Sequence, residues 1–342
     1  MSRIVRFHAF GPPEVLRLEE ISVRPPAPGE VRIAVRAVGL NWAEVLWRQN
    51  MYVERASLPA SLGTEVAGTI ESVGPGVTGF APGDPVYTFP ATSQGRNPAY
   101  TDLAIFPADA VAHLPANVGF TAGAAVGVAY YTAYFALFEM ARIQPGDWVL
   151  VTNGTSSAGI AAIQLAASAG ARVIATARDT AGQALLTEAG AAHAICATTQ
   201  CIVTRVKELT AGNGVRVAYD GVGGTLFGQL AEIVAPHGWM ILYGLTGGLK
   251  VELPAQAAFA KSLHIAVYKV FEFTGSEVQG LPRNEAAVAR AIAHIGRGLA
   301  DGTLAPVIDR SFPLAEAAEA HRYLESGRRG PGKVVLTVEP PG

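Results

Sequence analysis

Over residues 1–120 the apolar positions come in short runs that alternate with polar ones or cluster in Val, Ile and Leu: IVRFHAF, VLRLEEISV, EVRIAVRAVGL, VAGTIESVG, PVYTF, TDLAIF and AVAHLP. Turn formers separate them at Gly11-Pro12-Pro13, Pro25-Pro26-Ala27-Pro28-Gly29, Gly74-Pro75-Gly76 and Pro82-Gly83-Asp84. Many short strands between Gly/Pro turns predict a compact barrel or sandwich. One helical piece, Trp42–Arg48, interrupts them. Residues 121–140 turn Ala-rich and helical. From Val149 onward apolar strands alternate with helical segments (RVIATA, QALLTEAG, HAICA, IVTRVKELT, VRVAYDGVG, TLFGQLAEIVA, GWMILYG), the rhythm of a doubly wound parallel sheet. A further apolar strand is predicted near His264–Phe273 and a long Ala-rich helix around Glu285–Gly298. The C-terminal stretch returns to strand, helix and strand, so the fold class is α/β.

The densest pattern is WVLVTNGTSSAGIAAIQLAASAGARVIATARD, Trp148–Asp179. It reads as strand, tight turn, helix and second strand, one βαβ unit of about 30 residues. Gly154, Ser156 and Gly159 fall at the three glycine places of G-x-G-x-x-G. Gly154 suits the tight turn and Gly159 close packing of helix on strand. At the middle place, where backbone approaches a pyrophosphate, a Ser156 hydroxyl can donate to phosphate. The N-terminal N–H groups of the helix, around Thr155, Ser157 and Ala158, offer an anion site. An ordinary βαβ turn without a ligand is the competing reading.

The end of the second strand selects the nucleotide. An acidic residue there holds a ribose 2′-OH, whereas an Arg accommodates a 2′-phosphate. The strand ends Thr176-Ala177-Arg178-Asp179. Arg178 is a fixed cation with a fork that fits phosphate, so NADPH is expected. Asp179 competes for the ribose, with NADH as the alternative.

Composition sets outer bounds. In 342 residues, 50% are hydrophobic and 16% charged, with a net charge of −2; this suits two globular domains. Scattered Lys and Arg give no basic tract for nucleic acid or an anionic membrane. No apolar run reaches the ~18 residues of a membrane span, and MSRIVRFHAF lacks the apolar core of a secretory signal. Two cysteines, Cys196 and Cys201, are too few for a disulfide framework or a zinc ribbon. A cytoplasmic protein is expected. The seven histidines show no HxxxH pairing and read as surface or core residues. Asp220, in YDGVGG, reads as a turn or capping residue in preference to a catalytic one.

Four motifs, GTEVAGTIESVGPGVTGFAPGDPVY (63–87), the turn above, YDGVGG (219–224) and AHRYLESGRRGPGKVVL, resemble the medium-chain dehydrogenase/reductase superfamily over nearly the whole chain. The block Asn41…Arg48…Tyr52 followed by LPASLGTEVAG resembles its zinc-free quinone oxidoreductase branch. The resemblance implies a GroES-like β-rich substrate domain over residues 1–122, completed by 300–342, and a Rossmann domain over 123–299. Matching the zinc-dependent alcohol dehydrogenase pattern puts Asn41, Thr64 and Val128 at the three catalytic zinc ligands, and none is a credible ligand. Glu65 and Glu44 remain there, two carboxylates that do not make a zinc site. The expected activity is therefore zinc-independent, NADPH-dependent hydride transfer to a quinone or an α,β-unsaturated carbonyl, small molecules that accept hydride at carbon. Tyr52 and Asn41 are the expected hydrogen-bond donors to the acceptor oxygen; a capping role for Asn41 and a wall role for Tyr52 compete. Thr132 and Gly244 are expected at the nicotinamide end. Tyr130 replaces a usual glycine and either narrows the pocket or adds a hydroxyl. A family Lys falls at Gly182 and a family Tyr at Ala197, which leaves Arg178, helped by Arg328, to recognise the 2′-phosphate. Arg328, Arg329 and Lys333 read as a basic cluster on a solvated loop. An enoyl-thioester reductase and a non-catalytic NADPH-binding protein are the competing functions. The family likeness also implies a homodimer paired through an edge strand, with Ile265–Val270 as the candidate edge.

Overall fold

The computed structural model describes residues 1–327 and 330–339. In chain order the strands are β1 (Ser2–Phe7), β2 (Arg17–Ile21), β3 (Glu30–Gly39), β4 (Ala60–Ser61), β5 (Val66–Val73), β6 (Pro85–Thr88), β7 (Leu103–Pro107), β8 (Val111–His113), β9 (Trp148–Val151), β10 (Arg172–Ala177), β11 (His193–Cys196), β12 (Val215–Asp220), β13 (Val234–Leu242), β14 (His264–Val267), β15 (Ile308–Pro313) and β16 (Lys333–Thr337). They divide between two compact units, Met1–Val128 with Phe271–Gly342, and Ala129–Val270.

The first unit carries a three-stranded sheet, β2-β1-β4, and a seven-stranded one ordered β15-β16-β3-β5-β6-β8, with β7 also on β3. Alternation places Val31, Ile33 and Val35 of β3 inward, against Val66, Ile70, Phe106, Val334 and Leu336 in one core. Among the described residues of this unit only β15 and β16 run parallel to each other; β16 returns antiparallel to β3, with Val335 opposite Gly39 and Leu336 opposite Val38. The helix Trp42–Arg48 leaves β3 two residues further on.

The second unit is a parallel sheet of order β11-β10-β9-β12-β13-β14, the doubly wound order with a switch point between its first and fourth strands. The central strands β9, β10 and β12 are buried on both faces, as the near-continuous apolar runs require; Val149, Leu150 and Val151 are fully buried.

Three sequence expectations differ from the structure. The Rossmann unit ends at Val270, not at residue 299. The helix Glu285–Asp301 belongs with the first unit: the Asn117 amide donates to Leu299 O (3.0 Å) and Arg283 to Asp109 O (2.8 Å). The second unit begins at Ala129, whereas the sequence reading began the Rossmann domain at residue 123. The strand near His264–Phe273 stops at Val267, and Phe271–Thr274 is a helical turn.

Candidate functional site

The second unit builds the nucleotide-type turn. The helix Ser157–Ser168 follows β9, and its N-cap is Ser156. Ser156 Oγ accepts from Gly159 N (3.1 Å) and donates to Asn153 O (2.8 Å). The hydroxyl expected to reach a phosphate therefore has its one proton committed within the turn; it caps the helix. The N–H groups of Ser157 and Ala158, at the first two helical positions, lack intrahelical partners by geometry and remain for an anion. The left-handed residue of the turn is Asn153 (φ 50°), not Gly154. Gly154 is required by packing: a Cβ there would lie 2.9 Å from Leu186 and 3.1 Å from Thr176 O. At Gly159 a Cβ would stand 2.4 Å from Asn153 O, which is the close helix–strand approach the motif predicts.

Arg178 stands exposed just past β10, while Asp179 Oδ1 accepts from Gly182 N (3.2 Å) and so closes the start of the next helix. Thr155 packs in the same corner, where a Cβ on Gly182 would be 2.8 Å from its methyl. At the switch-point ends of β12 and β13, Gly244 and Gly221 touch: a Cβ on Gly244 would be 2.8 Å from Gly221 O. Asp220 is a turn residue. Its carboxylate accepts from the N–H groups of Val222 (3.0 Å) and Gly223 (2.9 Å) and from the Thr152 hydroxyl, and burial raises its carboxyl above the ordinary Asp range. Thr132 is buried within its helix. Tyr130 is fully buried and donates to Gln164 Oε1 (2.7 Å), so its hydroxyl serves the interior. Arg328 and Arg329 lie outside the described residues.

The first unit gathers the other expected residues. Continuing the β16–β3 register by two residues sets Lys333 across from Asn41. Lys333 is 1% exposed and its ammonium forms an ion pair with the fully buried Glu65, so it is no part of a solvated basic cluster. The same Nζ donates to Asn41 Oδ1 (2.6 Å). Asn41 Nδ2 donates to Glu65 Oε1 (3.0 Å) and, weakly, to Glu44 Oε1 (3.4 Å). Glu65 Oε2 accepts from Val128 N (2.6 Å). Glu44 accepts from Asn41 N, at the start of its own helix, and from Thr64 Oγ1 (3.3 Å). Two glycines make room: a Cβ on Gly39 would meet Glu65 Oε1 at 2.5 Å and Lys333 Cε at 2.8 Å, and one on Gly127 would meet Glu65 Oε2 at 3.1 Å.

This cluster holds two buried carboxyls and one ammonium. Glu65 has the ion pair; Glu44 does not. Burial pushes the Glu44 carboxyl up to about 7, the Glu65 charge adds to this, and Lys333 opposes it. Tyr52 is half-buried, its ring edge-on to Trp47 with centroids 6.2 Å apart. Burial, then the charges of Glu44 and Glu54, keep its phenol neutral and a donor. Arg48 is structural: its guanidinium ties Gly11 O to Glu325. His321, also buried, pairs with the Tyr100 hydroxyl (3.1 Å), and burial lowers its imidazole to about 3.

Among the described residues no group of three or more His, Cys, Asp and Glu could hold a metal ion. The zinc-type positions do not fit one: Asn41 offers an amide already bonded, Thr64 a hydroxyl turned to Glu44, and Val128 only its main chain. No helix among them is long and apolar enough to cross a membrane.

Sequence reasoning singled out the turn and Asn41, but it read Lys333 as part of a solvated loop and missed its burial beside Glu65. The signal was the register of KVVLT against EVRIAVRAVG, which no local pattern reveals.

Comparison with known proteins agrees with this architecture. An alcohol dehydrogenase GroES-like domain matches residues 27–126, and a zinc-binding dehydrogenase domain matches 189–336. The chain is 32% identical over 339 residues to the quinone oxidoreductase of Pongo abelii, covering 99% of this chain and 98% of that protein. The Escherichia coli quinone oxidoreductase complexed with NADPH superposes with a TM-score of 0.86 at 27% identity, covering 98% of this chain and all of that one. A mycobacterial protein solved with NADPH gives 0.86 at 30% identity, covering 98% and 99%. With these likenesses spanning both units, the chain belongs to the zinc-free quinone oxidoreductase branch of the medium-chain dehydrogenase/reductase superfamily.

Proposed function

We propose that the protein is an NADPH-dependent reductase that carries hydride to a quinone or an α,β-unsaturated carbonyl. The observation that carries this reading is the turn after β9: two uncommitted N–H groups at the mouth of a 12-residue helix, at the switch point of a 3-2-1-4-5-6 sheet. NADPH-bound relatives with the same fold support the nucleotide. Arg178, with Arg328, recognises the 2′-phosphate; Asp179 accepts from Gly182 N through one carboxylate oxygen. Ser157 and Ala158 hold the pyrophosphate, while Gly154, Ser156 and Gly159 keep the turn in shape. Thr155, Thr132 and Gly244 border the cofactor.

Bound NADPH would supply the hydride. In the first unit Tyr52 and Asn41 donate hydrogen bonds to the oxygen on which charge develops, the task for which preorganised donors are worth most. The neutral phenol of Tyr52 is suited to this because burial and two nearby carboxylates resist its ionisation. The residues at the zinc-type positions are unsuited to hold a Lewis-acid metal, which favours acceptors that are already activated, as quinones and enones are.

The test is NADPH oxidation with 9,10-phenanthrenequinone, a simple enone and crotonyl-CoA. Turnover of the first two is expected. A clear preference for crotonyl-CoA would make the enzyme an enoyl-thioester reductase, and tight NADPH binding without turnover of any of the three would make it a binding protein.

A further inference from the structure

The positions that bear zinc ligands in zinc-dependent relatives all converge on one cluster here, and that cluster already contains a cation. Asn41 Oδ1 accepts from Lys333, the main-chain N–H of Val128 donates to Glu65, and Thr64 turns its hydroxyl to Glu44. The ammonium is fully buried, ion-paired to Glu65 and supplied by the far end of the chain.

We propose that Lys333 is a positioning residue for the reaction, a built-in cation that fixes the orientation of the Asn41 amide. This rests on the reading of Asn41 as a donor to the acceptor oxygen. A side-chain amide presents either oxygen or nitrogen to a neighbour, and the two faces have opposite effects on a developing oxyanion. By donating to Oδ1 (2.6 Å), Lys333 turns that oxygen inward. Nδ2 then faces the carboxyls. One of its hydrogens is engaged by Glu65 at 3.0 Å, while the other has only Glu44 at 3.4 Å, too long to hold it firmly. In this proposal that second hydrogen leaves its long contact with Glu44 for the substrate oxygen. Without the ammonium, the Oδ1 side keeps only the Glu44 main-chain N–H of the helix capping box to favour this amide orientation, and the buried Glu65 loses its counter-charge.

Lys333→Met alone leaves a carboxylate unpaired in the interior and can fail to fold. Lys333→Met with Glu65→Gln removes both charges together and keeps the test open. In this double variant NADPH affinity, measured by cofactor fluorescence, is expected to stay at the wild-type value, since the second unit is untouched. With 9,10-phenanthrenequinone, kcat is expected to fall up to about 100-fold, the lower end of the roughly 100- to 1000-fold cost of an oxyanion donor removed outright, with KM for NADPH unchanged. A readout independent of turnover is the Asn41 side-chain amide in nitrogen-edited NMR of the cofactor-free protein: protected from exchange in the wild type, and exchanging at least about tenfold faster in the double variant. Wild-type kcat in the double variant, or unchanged amide protection, overturns the proposal. Wild-type protein that neither binds NADPH nor turns over any acceptor overturns the functional reading instead, and the amide measurement, read against the Glu65→Gln single variant, still decides whether Lys333 orients Asn41.

Discussion

At the residue scale the proposed recognition of the 2′-phosphate rests chiefly on one guanidinium. Asp179, the rival, spends one carboxylate oxygen on Gly182 N, which leaves Arg178 as the group at the strand end able to meet a phosphate. Arg178→Ala should raise the Kd for NADPH by an amount corresponding to about 1.5–3 kcal/mol, the range for hydrogen bonds to charged groups, and leave NADH binding nearly unchanged. Equal losses for both cofactors in a fluorescence titration would remove Arg178 from that role. The buried ionisable residues allow a second prediction. The folded Glu44 binds its proton up to about 7, against an ordinary value of 4.5, so between those values the native state holds more protons than the unfolded one and stability falls as pH rises. His321 acts in reverse: lowered to about 3 from 6.5, it makes the unfolded state the better proton binder, and stability falls as pH drops below 6.5. The two slopes oppose each other between about 4.5 and 6.5. Glu44→Gln leaves the His321 slope alone, so the variant should lose up to roughly 1.4 kcal/mol per pH unit more than wild type on acidification through that window. Parallel stability curves from urea melts at about pH 4.5, 5.5 and 6.5 would contradict this. Neither residue could be placed in this balance from sequence, because their surroundings come from segments distant in the chain, Lys333 beside Glu44 being the extreme case.

Among elements, the β9–turn–helix was the most legible. Its message is local: apolar strand, small residues, N-cap and helix within about 30 positions. What was not legible was the division of labour inside it. Ser156 occupies a ligand place in the motif but uses its hydroxyl to cap the helix, and the positive φ moved to Asn153 because Asn tolerates it. The helix Trp42–Arg48 also matched its expected bounds, whereas the membership of Glu285–Asp301 could not be read because its amphipathic face does not say which sheet it covers. Gly159 tests whether the turn must stay as tight as it is. Gly159→Ala places a Cβ 2.4 Å from Asn153 O and 2.7 Å from Gly154 Cα, contacts that only main-chain movement can relieve. The expected result is a destabilisation of about 1–3 kcal/mol together with loss of NADPH binding, because the same shift moves the N–H groups of Ser157 and Ala158. A variant with lowered Tm and intact cofactor affinity would separate the turn from the nucleotide.

For the whole molecule, the order of the parallel sheet leaves one apolar edge to be explained. β14 pairs only with β13, and among the described residues no strand covers its outer side. Soluble proteins guard such edges with Lys, Pro, bulges or very short strands. β14 is short, but its sequence, His264-Ile265-Ala266-Val267, contains no Lys or Pro, Val267 is 72% exposed, and Phe259 on the preceding helix is 91% exposed. An edge of this kind is stable when a second copy continues the sheet across a two-fold axis, which satisfies both rows of backbone groups at once and buries the apolar side chains around them. We therefore expect a homodimer joined through β14, in place of the longer Ile265–Val270 edge read from the sequence. Val267→Lys puts a charge where the partner strand would lie, and in sedimentation velocity at micromolar protein it should convert a dimer into a monomer that still binds NADPH, since the turn after β9 stands at the opposite side of β12 and β13 from this edge. A wild-type monomer, or a Val267→Lys dimer as tight as wild type, would place the subunit contact elsewhere and leave β14 an edge protected by its brevity alone.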